Sequence, residues 1–506
     1  MPFNSIFSWF IKKRIHQIDL FKKYPIDVQN EVLSKLITLS VDTQFGCQYN
    51  FISVKDHKTF QDNVPLSDYN TIKKYVDQLM AGDKNILWPG DTKWFAKSSG
   101  TTAERSKFIP VTKESLEECH YKAGKDLLAL YYSNYPGCKL YNGKHLAVGG
   151  SAQINPLTSD SYFGDLSAII VNNLPWWAEI RRTPSKEITM MSEWEEKIEK
   201  MAHSTIKENV LTLAGVPSWT IVLAERILEI TGKKHLKEVW PNLELFMHGG
   251  VCFEPYRDHF AKLIPDPNMH YVETYNASEG FFGIQDLPDD NALLLMLDYG
   301  IYYEFIPMNE FDGINSKNVL ALSEVEEDVN YAVVISTNGG LWRYILGDTV
   351  KFTSLLPYRF KITGRTKSFI NTFGEELIVE NAEQAIAFAC ENTNANIRDY
   401  TAGPIYMDNK NGGGHEWVIE FSSNPNNRER FEFLLDTRLR EINSDYDAKR
   451  YNDMILSKPF VHYAQSGFFE SWLKGKGKLG GQNKIPRLSN NREILEQILP
   501  SLKSLT

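Results

Sequence analysis

A chain of 506 residues, with 42% hydrophobic, 12% aromatic and 24% charged residues, has the composition of an ordinary globular protein and room for about two to four domains. Its 55 Lys and Arg against 64 Asp and Glu leave a net charge of −9, so there is no global field for nucleic acid or an anionic membrane, and any anionic ligand must be held locally. No apolar run approaches the roughly 18 residues of a spanning helix, and five scattered cysteines (Cys47, Cys119, Cys138, Cys252, Cys390) give neither a disulfide framework nor a CxxC metal site. The expectation is a soluble, cytoplasmic protein without nucleic-acid or membrane partners. The oligomeric state stays open, a monomer included.

In chain order, the N-terminus reads as an amphipathic helix whose Lys12-Lys13-Arg14 follow the apolar stretch, the reverse of a signal peptide. Val28 to Leu39 and Tyr69 to Met80 carry helix spacing, and the first ninety residues read as a lead-in without a site. From Leu146 onward, short apolar runs (Ala168 to Val171, Leu243 to Met247, Leu293 to Leu297, Ala332 to Ile335) alternate with helical stretches (Trp194 to His203, Ser218 to Ile230). That alternation predicts an α/β domain with mainly parallel sheets and flanking helices. Trp176 and Trp177 read as core or as the lining of an acyl pocket, and His248 and Cys252 as packing at a strand end. Beyond Gly364 follow a helix from Glu380 to Cys390, a hairpin across residues 405–421, a charged helix from Asn427 to Ile442 and a strand from Phe460 to Ala464. These predict a smaller α+β domain of about 140 residues.

Three segments carry chemistry. Lys97-Ser98-Ser99-Gly100-Thr101-Thr102-Ala103-Glu104-Arg105-Ser106-Lys107 gathers hydroxyls, a glycine and a lysine, the donors a polyphosphate tail needs, yet it lacks the Walker pattern. Tyr271 to Gly283 offers Tyr275 as a stacking platform and Glu279 as an oxygen ligand for Mg²⁺. In Gly340 to Asp348, the Asp after a Gly turn can accept from ribose hydroxyls. Each segment alone also reads as a polar turn. Gly475 to Gly480 satisfies GxGxxG but lies in no βαβ unit, so it is set aside as a dinucleotide site.

In that order, the three segments resemble the phosphate loop, the Tyr-x-x-Ser-Glu motif and the Tyr-Arg-x-Gly-Asp-like motif of adenylate-forming enzymes, specifically the Gretchen Hagen three family of auxin-responsive acyl-acid amido synthetases. The resemblance extends through Ile86 to Gly90, Gly215 to Trp219, His248 to Val251, Gly364-Arg365 and Gln482 to Arg487. It implies that Ser98, Ser99, Gly100, Thr101, Thr102 and Lys107 surround the ATP phosphates. Tyr275, with Asn276 and Ser278 beside it, would pack on adenine and Glu279 would hold Mg²⁺. Asp348 and Arg365 would lie at the ribose, Gly250 and Val251 between adenine and acyl group, and Lys484 would be the lysine brought in by a mobile C-terminal domain. Ala103, Asn276-Ala277 and Trp342 depart from the family's commoner residues.

What the resemblance implies is an ATP- and Mg²⁺-dependent ligase that adenylates a small carboxylic acid and passes the acyl group to an amino acid amine. The domains would be 1–363, holding the ATP and acyl sites, and 364–506, a mobile lid. Two rivals remain at this stage: transfer to a thiol such as coenzyme A, and a silent nucleotide-binding protein of the same fold.

Overall fold

The computed structural model describes residues 2–98, 107–149, 154–158, 160–191, 193–250, 253–366, 369–370, 375, 377–406, 413–443, 446–447, 450, 456–476, 485–489 and 491–503. The N-terminal helix Pro2–Lys23 buries Ile18 and Phe21 in the main core. Its Arg14 guanidinium meets Asp126 at 2.5 Å and Asp298 at 2.7 Å, and the buried Asp126 also accepts from the Tyr299 hydroxyl at 2.7 Å. Such a network costs desolvation and fixes orientation, here of the first helix against the body. No described helix is long and apolar enough to cross a membrane.

Helix Tyr69–Ala81 starts at a reciprocal cap: the Asp68 carboxylate accepts from the Thr71 N–H at 2.9 Å, and the Asp68 N–H donates to the Thr71 hydroxyl at 2.8 Å. Ile72, Tyr75, Val76 and Leu79 are its buried face, the i, i+3, i+4, i+7 spacing that turns one stripe inward.

Among the described residues, twelve strands form the main sheet. Five neighbours run parallel: Arg182–Thr183, Lys144–Val148, Val210–Gly215, Leu245–Gly249 and His270–Ala277. The next seven (Gly280–Ile284, Leu293–Leu295, Tyr358–Arg365, Tyr344–Leu355, Asn330–Thr337, Ile301–Pro307 and Leu320–Ala321) pair antiparallel. The mixed α/β class therefore holds, but the expectation of mainly parallel sheets is corrected. After Ala277 some connections shrink to turns, Ser278-Glu279 and Leu356-Pro357, and a turn that short can only return the chain antiparallel. Two smaller readings also change. Ala168 to Val171 lies in helix Leu166–Asn172, because four apolar residues carry no period of their own. Trp176 is 76% exposed instead of core.

A second sheet orders Lys107–Val111, Trp94–Ser98, Tyr162–Gly164 and Asn155–Pro156, with Lys107–Val111 on its edge. The C-terminal unit has its own core: Ile386 of helix Val379–Thr393 and Phe431 and Leu435 of helix Arg428–Ile442 pack on Trp417 and Ile419 of a three-stranded sheet, Asn396–Ile405, Gly414–Ser423 and Phe460–Ala464. It meets the large body through polar contacts, Arg398 with Glu225 at 3.0 Å and the Tyr256 hydroxyl donating to the Arg398 carbonyl at 2.9 Å.

Candidate active site

Strands Leu245–Gly249 and His270–Ala277 run side by side, with Gly249 opposite Thr274. A Cβ on Gly249 would sit 2.5 Å from the Thr274 carbonyl oxygen, so only glycine permits this approach. The Thr274 hydroxyl donates to the His248 carbonyl at 3.1 Å, locking the two ends together. His248 itself is buried and stacked on Phe253 at 4.1 Å, in keeping with a packing role.

Beyond this point the hairpin turns through Ser278 and Glu279. Strand Tyr344–Leu355 brings Asp348 opposite Arg365 of strand Tyr358–Arg365. Gly347, at φ +90°, bends the chain one residue before Asp348, a conformation that favours glycine. Asp348 Oδ2 accepts from the Tyr275 hydroxyl at 2.6 Å and Oδ1 pairs with Arg365 Nε at 2.8 Å. Burial and the Asp348 carboxylate hold the Tyr275 phenol well above its ordinary range, so it stays a donor. Asp348 likewise raises Arg365. Burial, with Asp348 beside it, raises the Glu279 acid, and Lys107 and Arg365 pull it the other way.

These groups border one cavity of about 1800 Å³, open between the large body and the C-terminal unit. Lys107, Gly250, Tyr275, Asn276, Ser278, Glu279, Asp348 and Arg365 all line it. Tyr275 is 6% exposed, its ring packed on Phe282 at 4.9 Å and Phe360 at 6.0 Å, so a ligand meets only its cavity side. Ser99, Gly100, Thr101, Thr102, Val251, Cys252 and Lys484 lie outside the described residues, as does the side chain of Ser98. An apolar wall that includes Leu166, Ile170, Ala214, Trp219 and Met247 continues the same cavity.

The site is also wider than the sequence reading allowed. Asp68, Tyr69, Asn70 and Lys73, from the stretch read as a lead-in without a site, line the cavity too. Helix spacing over Tyr69 to Met80 marks a helix; nothing in its residue types tells which way its start faces. On the opposite side, Glu273 is raised to about 7, first by burial and then by Glu383 across the cleft, with Arg257 and Lys361 opposing and Glu254 adding.

The residues present fit a nucleotide. Ser278 Oγ is buried without a hydrogen-bond partner and borders the cavity, the sort of orphaned group a polar ligand satisfies. Among the described residues no group of three His, Cys, Asp or Glu could hold a metal by itself. Glu279 as a single carboxylate suits a magnesium ion that takes its other ligands from phosphates and water.

Comparison with solved structures shows that this fold is shared with an acyl acid amido synthetase and an acyl-CoA ligase. The chain superposes on an AtGH3.15 acyl acid amido synthetase in complex with 2,4-DB, with a TM-score of 0.80 at 18% identity, covering 97% of this chain and 96% of that one. It superposes on 2-hydroxyisobutyryl-CoA ligase in the postadenylation state with a TM-score of 0.59 at 12% identity, covering 94% and 91%. The chain belongs to the GH3 family: its N-terminal domain model matches residues 14–269, its central domain model residues 294–365 and its C-terminal domain model residues 380–493. Among curated relatives, indole-3-acetic acid-amido synthetase GH3.4 of Arabidopsis thaliana is 22% identical over 96% of this chain and 92% of its own length.

Proposed function

We propose that this protein is an ATP-dependent ligase that converts a small carboxylic acid to its acyl-adenylate and transfers the acyl group to the amine of an amino acid. The observation that carries the reading is the convergence of Lys107, Tyr275, Glu279, Asp348 and Arg365 on a single cavity in a chain of the GH3 family. A carboxylate is a poor acyl electrophile because oxide would have to leave. Attack of its oxygen on the α-phosphorus of ATP expels pyrophosphate and leaves a mixed anhydride. The amine nitrogen then adds to the acyl carbon, AMP departs with the bonding electrons, and the amine's proton is released.

In this reading the first step needs charge neutralised, not a covalent nucleophile. Lys107 stands at the start of its strand, and Glu279 feels its charge; by the family resemblance Ser98, Ser99, Gly100, Thr101 and Thr102 would supply the phosphate donors. Glu279 would hold Mg²⁺, which would supply charge neutralisation at the phosphates when bound. Asp348, oriented by Tyr275 and Arg365, receives the ribose hydroxyls. Asn276 and Ser278 border the base, and Gly250 and Val251 separate it from the acyl group. The apolar wall around Trp219 and Met247 takes the body of the acid and keeps water from the anhydride.

The domain division in this reading is 1–363 and 364–506, the second part moving as a lid that brings Lys484 to the phosphates. Its separate core and the polar character of its contacts with the body support a movable unit. Free Cys47, Cys119, Cys138 and Cys390 suit a reducing cytoplasm. The test is pyrophosphate release with ATP, Mg²⁺ and a panel of aryl and aliphatic acids. Release that depends on one class of acid is expected; release with none of them, or independent of added acid, contradicts the proposal.

A further inference from the structure

We propose that Tyr69 is a positioning residue for Lys107, an inference that rests on the adenylation reading and deepens it. The segment Ser67 to Tyr69 spans two motif-bearing strands. At one end Ser67 lies as a parallel bridge beside Tyr344. The Ser67 N–H donates to the Arg343 carbonyl at 2.9 Å, the Ile345 N–H donates to the Ser67 carbonyl at 2.8 Å, and the Ser67 hydroxyl donates to the Trp342 carbonyl at 2.7 Å. Asp348 follows on that same strand, Tyr344–Leu355.

At the other end the Tyr69 hydroxyl accepts from the Phe108 N–H at 2.9 Å. Phe108 follows Lys107 directly, on a strand that is the edge of its sheet. An edge strand leaves a row of backbone donors without sheet partners, and here the phenol of Tyr69 takes one of them. A three-residue strut thus joins the strand that starts at Lys107 to the strand that carries Asp348. Asp68 and Tyr69 line the same cavity as Lys107, Glu279, Tyr344 and Asp348, so the strut sits at the site and not behind it.

The consequence is a fixed distance between the Lys107 backbone and the Glu279–Asp348 side of the cavity. Charge stabilisation of a departing pyrophosphate depends on where the cation stands, and a displacement of about 1 Å can cost about 10²-fold in rate. Removing the phenol oxygen frees the Phe108 N–H and the strand end. The acyl transfer step, in which pyrophosphate has already left, does not need this placement.

Tyr69→Phe is the test, with three readouts. Acid-dependent pyrophosphate release is expected to fall about 10- to 100-fold in kcat, with KM for ATP changed less than about threefold. Amide formation from supplied acyl-adenylate and amine is expected to keep its wild-type rate. In a Lys107→Ala background the same substitution is expected to cost little more, because the two residues act as one unit. Equal losses in both half-reactions, or losses that multiply in the double variant, overturn the proposal and leave Tyr69 a structural cap. Hydrogen exchange at the Phe108 amide reads the anchor apart from turnover: faster exchange in Tyr69→Phe sustains it, and unchanged exchange removes it. If the wild-type protein released no pyrophosphate with any acid, the adenylation reading would fall, and exchange alone would decide the anchor.

Discussion

At Asp348, among the described residues, Tyr275 donates to Oδ2 and Arg365 pairs with Oδ1, which fixes the plane of the group and turns it toward the cavity. Glu279 differs: its acid is raised by burial and by Asp348 with Lys107 and Arg365 opposing, so a divalent cation beside it relieves both penalties. Glu279→Gln is therefore expected to raise the Mg²⁺ concentration needed for half-maximal pyrophosphate release at least tenfold while leaving the unfolding temperature near wild type. A metal titration that superposes on the wild type refutes the role.

Glu273 yields a stability prediction with a definite sign. Its acid rises from an ordinary 4.5 to about 7, so over that window the folded protein binds the proton more tightly than the unfolded chain, and stability falls as pH rises from about 4.5 to about 7. Glu273→Gln removes the ionisation. The variant should gain about 1 to 3 kcal/mol on the wild type between pH 5 and pH 8, read by denaturant unfolding at both values. Parallel pH profiles contradict it. At this scale residue type and motif order single out Glu279 and Asp348, which the structure brings to one cavity, whereas nothing in the sequence singles out Glu273 and Tyr69. Their significance arises from partners far away in sequence, Glu383 across the cleft and Phe108 on the edge strand.

Among the elements, strand Tyr344–Leu355 shows how a motif is held. Arg343, one residue before it, sits at φ +42° and is buried, a conformation that costs about 1 to 3 kcal/mol unless its surroundings impose it. They do: Arg343 Nε pairs with Glu304 at 2.9 Å, its Nη1 donates to the Val64 carbonyl at 2.7 Å, and its N–H donates to the Ser336 hydroxyl at 2.9 Å. Glu304→Gln leaves the guanidinium buried without a counter-charge, and a loss of about 3 kcal/mol in unfolding free energy is expected, activity falling with it. A variant as stable as the wild type contradicts this account of the strand's entry. Helix spacing over Tyr69 to Met80 and the short apolar run Ala332 to Ile335 are readable in the sequence, and they fall in helix Tyr69–Ala81 and strand Asn330–Thr337. Strand direction is less readable, because it depends on whether a connection is a turn or a crossover, and the two-residue turn at Ser278-Glu279 looks in sequence like part of a motif. The run Ala168 to Val171 failed for lack of length.

For the whole molecule, the large body and the C-terminal unit both line the cavity, the body with Lys107, Tyr275, Glu279 and Asp348 and the C-terminal unit with Glu383, Arg398 and Arg487. Among the described residues, polar contacts join them: Arg398 meets Glu225 at 3.0 Å, Arg487 reaches the Tyr256 hydroxyl at 3.3 Å, and Lys474 pairs with Glu195 on the surface. Polar interfaces of this kind hold domains less firmly than apolar ones, and the proposed lid motion rests on that. The α/β class and the small α+β C-terminal part could be read from composition and alternation alone. The depth of the cavity and its wall from the first ninety residues could not, since both depend on packing between segments more than 200 residues apart, as Ser67 against Arg343 shows. The central claim is amide formation through an acyl-adenylate, and mass analysis of products tests it most directly. Protein, ATP, Mg²⁺ and a responsive acid are incubated with mixed amino acids in one arm and coenzyme A in the other. The account predicts an acyl-amino acid amide and stoichiometric AMP in the first arm; a thioester with coenzyme A and no amide with any amino acid would contradict it.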